Sequence, residues 1–134
     1  MSNRTLFHSL GFRDVPAAVR FLEAVGFVEA VRYTDPDDDS LLVHAQYNWR
    51  DTGGVMFGQI ASRNDSERAV ESAGHGQCYC VVEQAADVDR IHEAALGAGG
   101  RSVRAPQEPP YGGRICAVLD PEGNQWSFGT YADA

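Results

Sequence analysis

Four histidines, three cysteines and nineteen acidic side chains are the groups in this chain that could hold a metal, attack an electrophile or move a proton. Their spacing narrows the choice. His8 lies between Leu6 and Leu10, His44 in an alternating run, His75 beside Gly76 at the entrance to a strand and His92 in a helical run. No two have the close spacing of a local metal motif, so each is read singly, and His8 is expected to find a backbone or side-chain partner. Cys78, Cys80 and Cys116 form neither an even disulfide framework nor a C-x-x-C zinc pattern. Two residues apart in a strand, Cys78 and Cys80 share a face and read as small, reduced core residues. Asp35, Asp37, Asp38 and Asp39 gather around Pro36 and Ser40 as a solvated acidic turn, without the Gly and distal Glu of a calcium loop. There is no G-x-S-x-G elbow, phosphate loop or dinucleotide fingerprint, since Gly97, Gly99 and Gly100 follow a helix instead of opening one.

The totals set further limits. With 134 residues, 43% of them hydrophobic, the chain can bury a core as one domain. A formal charge of −8 disfavours nucleic acid and anionic membranes, both of which repel such a surface. No stretch approaches a membrane span, and the opening MSNRTLFHSL lacks the order of a secretion signal, so a soluble, cytoplasmic protein is expected.

The elements that must position these groups emerge from an internal repeat. Arg20-Phe21-Leu22-Glu23-Ala24 returns as Arg90-Ile91-His92-Glu93-Ala94, and Met56-Phe57-Gly58-Gln59 as Ser127-Phe128-Gly129-Thr130, at an offset of about seventy residues. In the first half TLFHSLGF reads as a strand. Asp14 and Pro16 start a helix carrying Ala18, Phe21, Leu22 and Val25, and Gly26 stops it. FVEAVRY, SLLVHAQY and GVMFGQI follow as strands. A polar stretch from Ala61 to Gly76 shows no period. Then QCYCVV is a strand, Asp87 begins a helix carrying Val88, Ile91, Ala95 and Ala98, and strands follow near Arg101 to Arg104, in GRICAVLD and in NQWSFGTY. The spacing predicts an α+β fold of two tandem βαβββ modules, one at about 1–62 and the other at about 76–134, joined by a linker at about 63–75. Each curved mixed sheet would keep one face open. Two halves of one chain, or two chains exchanging halves, could close these faces around a cleft, and a homodimer is expected to cover the remaining edges.

FRDVPAAVRFLEAVGF, HAQ followed by GGVMFGQ, and PYGGRICAVLDPEGNQWSFGTY together resemble the vicinal oxygen chelate superfamily of glyoxalases, bleomycin-resistance proteins and extradiol dioxygenases. The resemblance is narrower to its metal-poor, glyoxalase-like and bleomycin-resistance-like branch, and is most specific in DPEGNQWSFGTY. In the superfamily's enzymes one metal is held from the first and last strands of each module, typically by His, Glu, His and Glu. The resemblance carries those positions to Phe7, Met56, Gln77 and Ser127, a set with no carboxylate or imidazole. No metal and no other cofactor is therefore expected there. A one-residue shift would substitute His8 for Phe7, and a displaced site could use His8 or His44.

If those four positions face the cleft, alternation turns Ser9, Tyr79, Gln125 and Gly129 inward, and Leu6, Leu10, Cys78, Cys80, Trp126 and Phe128 toward the helices. The expected ligand site is Phe7, Met56, Gln77, Tyr79 and Ser127, with Trp49, Tyr111 and Arg114 in or beside covering loops. The resemblance implies a protein that sequesters a small organic compound, an antibiotic or a metabolite, without metal. The alternative is a lyase, isomerase or dioxygenase-like enzyme that uses a displaced metal site or none.

Overall fold

The computed structural model describes residues 4–60 and 67–131. Asp14 begins the first helix as the sequence suggests: its side chain accepts from the Ala17 amide, and Pro16 sits where a helix needs no amide. The helix α1 (Val15–Val25) follows strand β1 (His8–Phe12) and ends at Gly26, whose φ of 125° favours glycine. Strands β2 (Val28–Asp35), β3 (Asp38–Trp49) and β4 (Gly53–Gln59) complete the first module. The second contains β5 (Gln77–Val81), the helix Ala85–Gly97, β6 (Arg101–Gln107), β7 (Ile115–Leu119) and β8 (Gln125–Gly129). A short helix, α2 (Glu67–Ser72), precedes it, so Ala85–Gly97 is α3.

The sheets have the same order, β1-β4-β3-β2 and β5-β8-β7-β6, with the first pair of each parallel and the others antiparallel. This is the two-module α+β architecture expected from the repeat. Period-two alternation sets the faces: Val55 and Phe57 of β4, and Trp126 and Phe128 of β8, are buried, while Met56 and Ser127 between them are only partly so. One continuous core joins both modules, and in it α1 packs on α3. Both helices thus serve a shared interior, and each sheet keeps a face turned away from it.

Several expectations need correction. The acidic segment is not a loop: Asp35 and Asp38 pair across β2 and β3, leaving Pro36-Asp37 as the turn, where the Asp35 carboxylate accepts from the Asp37 amide. The expected linker contains α2, and its part between 63 and 66 lies outside the described residues. Helix α3 begins at Ala85 because the Asp87 carboxylate reaches back to the Gln84 amide and fixes the first turn two residues earlier. Leu6, expected to face the helices, precedes β1 and is 79% exposed.

The DPEGN segment does more than turn the chain. Buried Asp120 accepts from the amides of Glu122 and Asn124, the Asn124 side chain and the Trp126 indole at 2.9–3.1 Å. Asn124 in turn accepts from the Gly76 amide, which ties the turn to the start of β5. Glu122 reaches across to the other module, where its two oxygens accept from the amides of Arg13 and Asp14 at 2.9 and 2.6 Å. Among the described residues no helix is long and apolar enough to cross a membrane.

Candidate ligand site between the modules

Strands β1 and β5 are the edges of their sheets, and a cavity of about 560 Å³ lies where they approach. Its wall includes His8 and Val55 from the first sheet, Trp49 and Arg50 from the end of β3 and the turn beyond it, and Cys78 and Tyr79 from β5. Trp49 is fixed on three sides: its ring meets Phe27 at 4.9 Å and Phe128 at 5.6 Å, and its Nε1 donates to the Val81 carbonyl at 2.9 Å. Arg50 holds a left-handed φ of 52° and places its guanidinium 3.1 Å from Glu83. Arg4 closes over the same turn, donating to the carbonyls of Arg50 and Gly53 at 2.6 and 2.9 Å.

His8 pairs in register with buried Val55, so its ring lies on the core side and meets Trp126 edge-on at 5.9 Å. Its Nε2 is buried with no hydrogen-bond partner among the described residues, contrary to the expectation that a neighbour would satisfy it. Burial lowers its pKa below the usual histidine value, so the ring is neutral at pH 7. Beside it on the other sheet, Cys78 pairs in register with Trp126, and its sulfur lies 4.0 Å from that of Cys80. The contact with Cys80 lowers the Cys78 pKa and raises that of Cys80, which is also buried. Cys116 lies elsewhere in the core, where burial pushes its pKa up to about 11.

Of the eight residues expected to form the ligand site, Trp49 and Tyr79 line this cavity. The other six are not among its lining residues. Phe7 lies over Gly54, where a β-carbon would come within 2.9 Å of the ring. Met56 pairs with Ser9 and Gln46, Ser127 with Tyr79 and Ala117, and Gln77 with Gln125, so these three sit on the sheets themselves. Tyr79 covers Gly129 and donates to the Tyr131 carbonyl at 2.8 Å, while Tyr111 meets the Tyr131 ring edge-on at 5.6 Å. Arg114 makes a two-point ion pair with Asp89 at 2.7 and 2.8 Å. Alternation assigned Cys78 and Cys80 to the core and so missed them as wall residues. The missing signal is β5's position as a sheet edge, where the core-facing side borders the gap between sheets.

The positions that hold metal in the superfamily do not fit one here. Phe7 offers no donor atom and is packed on Gly54, and Met56, Gln77 and Ser127 supply no charge. Register puts Ser9, not His8, beside Met56, so His8 belongs to the opposite face of the sheet. His44 shares the face of Gln46 and Met56 by alternation, with its ring 6.3 Å from that of Tyr33. Among the described residues no three His, Cys, Asp or Glu side chains are grouped to hold a metal ion.

The same architecture recurs in solved structures. TioX from Micromonospora sp. ML1 is 28% identical, with 97% of this chain and 98% of that one covered at a TM-score of 0.68. The fosfomycin resistance protein FosX from Mesorhizobium loti is 17% identical over 98% and 94% of the two chains, with a TM-score of 0.66. A glyoxalase-related enzyme from Fulvimarina pelagi is 21% identical over 95% and 87%, with a TM-score of 0.65. No match is found among curated proteins. The family model described as "Glyoxalase/Bleomycin resistance protein/Dioxygenase superfamily" matches residues 7–128. With that match spanning both modules, the chain belongs to the glyoxalase, bleomycin resistance protein and dioxygenase superfamily.

Proposed function

We propose that this protein binds a small, largely apolar organic molecule, an antibiotic or a metabolite, in the cavity between its modules, without a metal at the superfamily's usual positions. The cavity carries this reading: about 560 Å³ falls within the roughly 300–1,000 Å³ of small-molecule sites, and its wall combines the apolar surface of Phe27, Trp49 and Val55 with polar groups on His8, Arg50, Asp51 and Thr52. Trp49 and Tyr79 both border it and supply aromatic surface. His8 and Arg50 offer the polar groups that would orient a ligand. A chain of net charge −8 favours a neutral or cationic ligand over an anion. That FosX is described as a fosfomycin resistance protein agrees with a role against a toxic small molecule.

The ligand-bound form is a homodimer in this reading. With α1 and α3 together in one core, the sheet faces bearing Met56 and Ser127 are left to a second copy, and Tyr79 remains 41% exposed beside them. Titration with neutral and cationic antibiotics should give saturable quenching of tryptophan emission and a raised melting temperature. Trp49→Ala should weaken binding by about tenfold, the scale of one lost aromatic contact of ~1.4 kcal/mol. Binding that is unchanged in Trp49→Ala would place the ligand elsewhere. Ser127→Phe, by contrast, reports on the sheet face: light scattering should show the dimer weakened, and an unaltered dimer would remove that face from the interface.

A further inference from the structure

The cavity wall carries a pair of thiols that non-covalent binding does not use. Cys78 and Cys80 stand on one face of β5 with their sulfurs 4.0 Å apart, the limit of a weak S–H···S hydrogen bond, and both border the cavity. We propose that this is a covalent capture site for soft, apolar carbon electrophiles of the activated-alkene class, with Cys78 as the nucleophile and Cys80 as its hydrogen-bond donor. The inference rests on the cavity being the ligand site and names the chemical class it takes.

The assignment of roles follows from position. Cys78 is partly buried and packs at the edge of the core, whereas Cys80 is 4% exposed, so Cys78 is the sulfur a ligand can reach. In these roles the buried Cys80 keeps its proton and directs it to the Cys78 sulfur, a polarity that agrees with the lowered pKa of Cys78 and the raised pKa of Cys80. Cys116 contacts the Val88 carbonyl at 3.7 Å deep in the core and has no part in this wall. The cavity that Cys78 borders is also lined by Phe27, Trp49 and neutral His8, which suit an uncharged aryl or alkenyl group. A thiolate is a soft nucleophile, and an alkene conjugated to a carbonyl is its matched partner.

The reaction balances without a further reagent. The Cys78 sulfur forms a bond to the β-carbon of the alkene, the π pair moves toward the carbonyl as an enolate, and the α-carbon then takes a proton from water. The proton that Cys78 gave up replaces it in solvent. The net change is addition of S–H across C=C, with no oxidant and no leaving group.

The test uses the full chain with N-phenylmaleimide, followed by intact mass and peptide mapping. One equivalent should add at Cys78 at pH 7, about tenfold faster than to free cysteine, with a pH midpoint below the ~8.5 of an ordinary thiol. Cys80→Ala should raise that midpoint and slow the reaction several-fold. Cys80→Ser, which keeps a donor, should restore part of the rate and serves also if the alanine variant folds poorly. Cys116→Ala should react like the parent. Addition first at Cys116, addition spread over all three cysteines, or a midpoint unmoved in both Cys80 variants overturns the proposal. N-phenylsuccinimide, the saturated analogue, separates the two readings. Quenching by it without a Cys78 adduct from the maleimide sinks only the covalent step, whereas absence of both effects sinks the cavity as a ligand site for this class.

Discussion

His8 sits at the junction of both sheets with a nitrogen that finds no partner among the described residues. An ordinary histidine in the unfolded chain protonates near pH 6.5, and burial lowers that value in the folded state. The sign follows directly. Above pH 6.5 the ring is neutral in both states; as pH falls through 6.5 the unfolded chain takes up the proton first, and stability is lost until the folded pKa is passed. The urea midpoint should therefore drop between pH 7 and pH 5 by more in the parent than in His8→Phe, which keeps the edge contact with Trp126. Equal drops in the two proteins would show that the imidazole does not contribute. At this scale, strand alternation in the sequence is enough to separate Trp126 and Phe128 from Met56 and Ser127. It could not reveal that His8 finds no partner among the described residues or that Arg114 is taken by Asp89, because both depend on groups distant in the chain.

Strand β4 approaches its neighbour β3 closely at one glycine. A β-carbon on Gly58 would lie 2.6 Å from the Val43 carbonyl oxygen, a backbone atom of β3 that cannot rotate away. Gly58→Ala should thus cost about 2 kcal/mol, the scale of forcing an extra methyl group into packed structure. Gly97 provides the contrast: near the end of α3, a β-carbon there meets nothing within 4 Å. Gly97→Ala should be neutral or stabilise by up to about 1 kcal/mol through helix propensity. Chemical denaturation checks both, and a Gly58→Ala variant as stable as its parent would mean that β3 and β4 can separate locally without loss. The glycines are visible in the sequence, but the close approach to Val43 is not. Helix α2 was similarly hidden, since its six residues are too few to display a helical period within a polar stretch. The extension of β3 through Asp38 and Asp39 escaped because charged, exposed residues resemble a loop unless the pairing of Asp35 with Asp38 is known.

On the scale of the whole molecule, the order of elements and the two-module plan were written in the repeat, but the relation between modules was not. Two halves of this kind could close on each other within a chain or join side by side, and the same strands serve either arrangement. The choice lies in tertiary contacts such as that of Glu122, which holds the amides preceding α1 from the far end of the other module. A carboxylate there also faces the positive end of the helix. Glu122→Ala should lower stability by about 1–2 kcal/mol, while Glu122→Gln, which keeps one acceptor, should lose less. The alanine variant should still unfold in a single transition because the core is shared, and two separated transitions would show the modules to be independent.

The chain's two tryptophans have exchanged homes. Trp126 belongs to the second module, yet its ring partners His8, Phe21 and Phe27 all come from the first. Trp49 belongs to the first, and it binds the Val81 carbonyl and stacks near Phe128 in the second. Light emitted by the indoles during refolding therefore carries a contribution from the meeting of the halves, added to that of the contacts Trp49 makes with Phe27 and Trp126 with Asp120 inside their own modules.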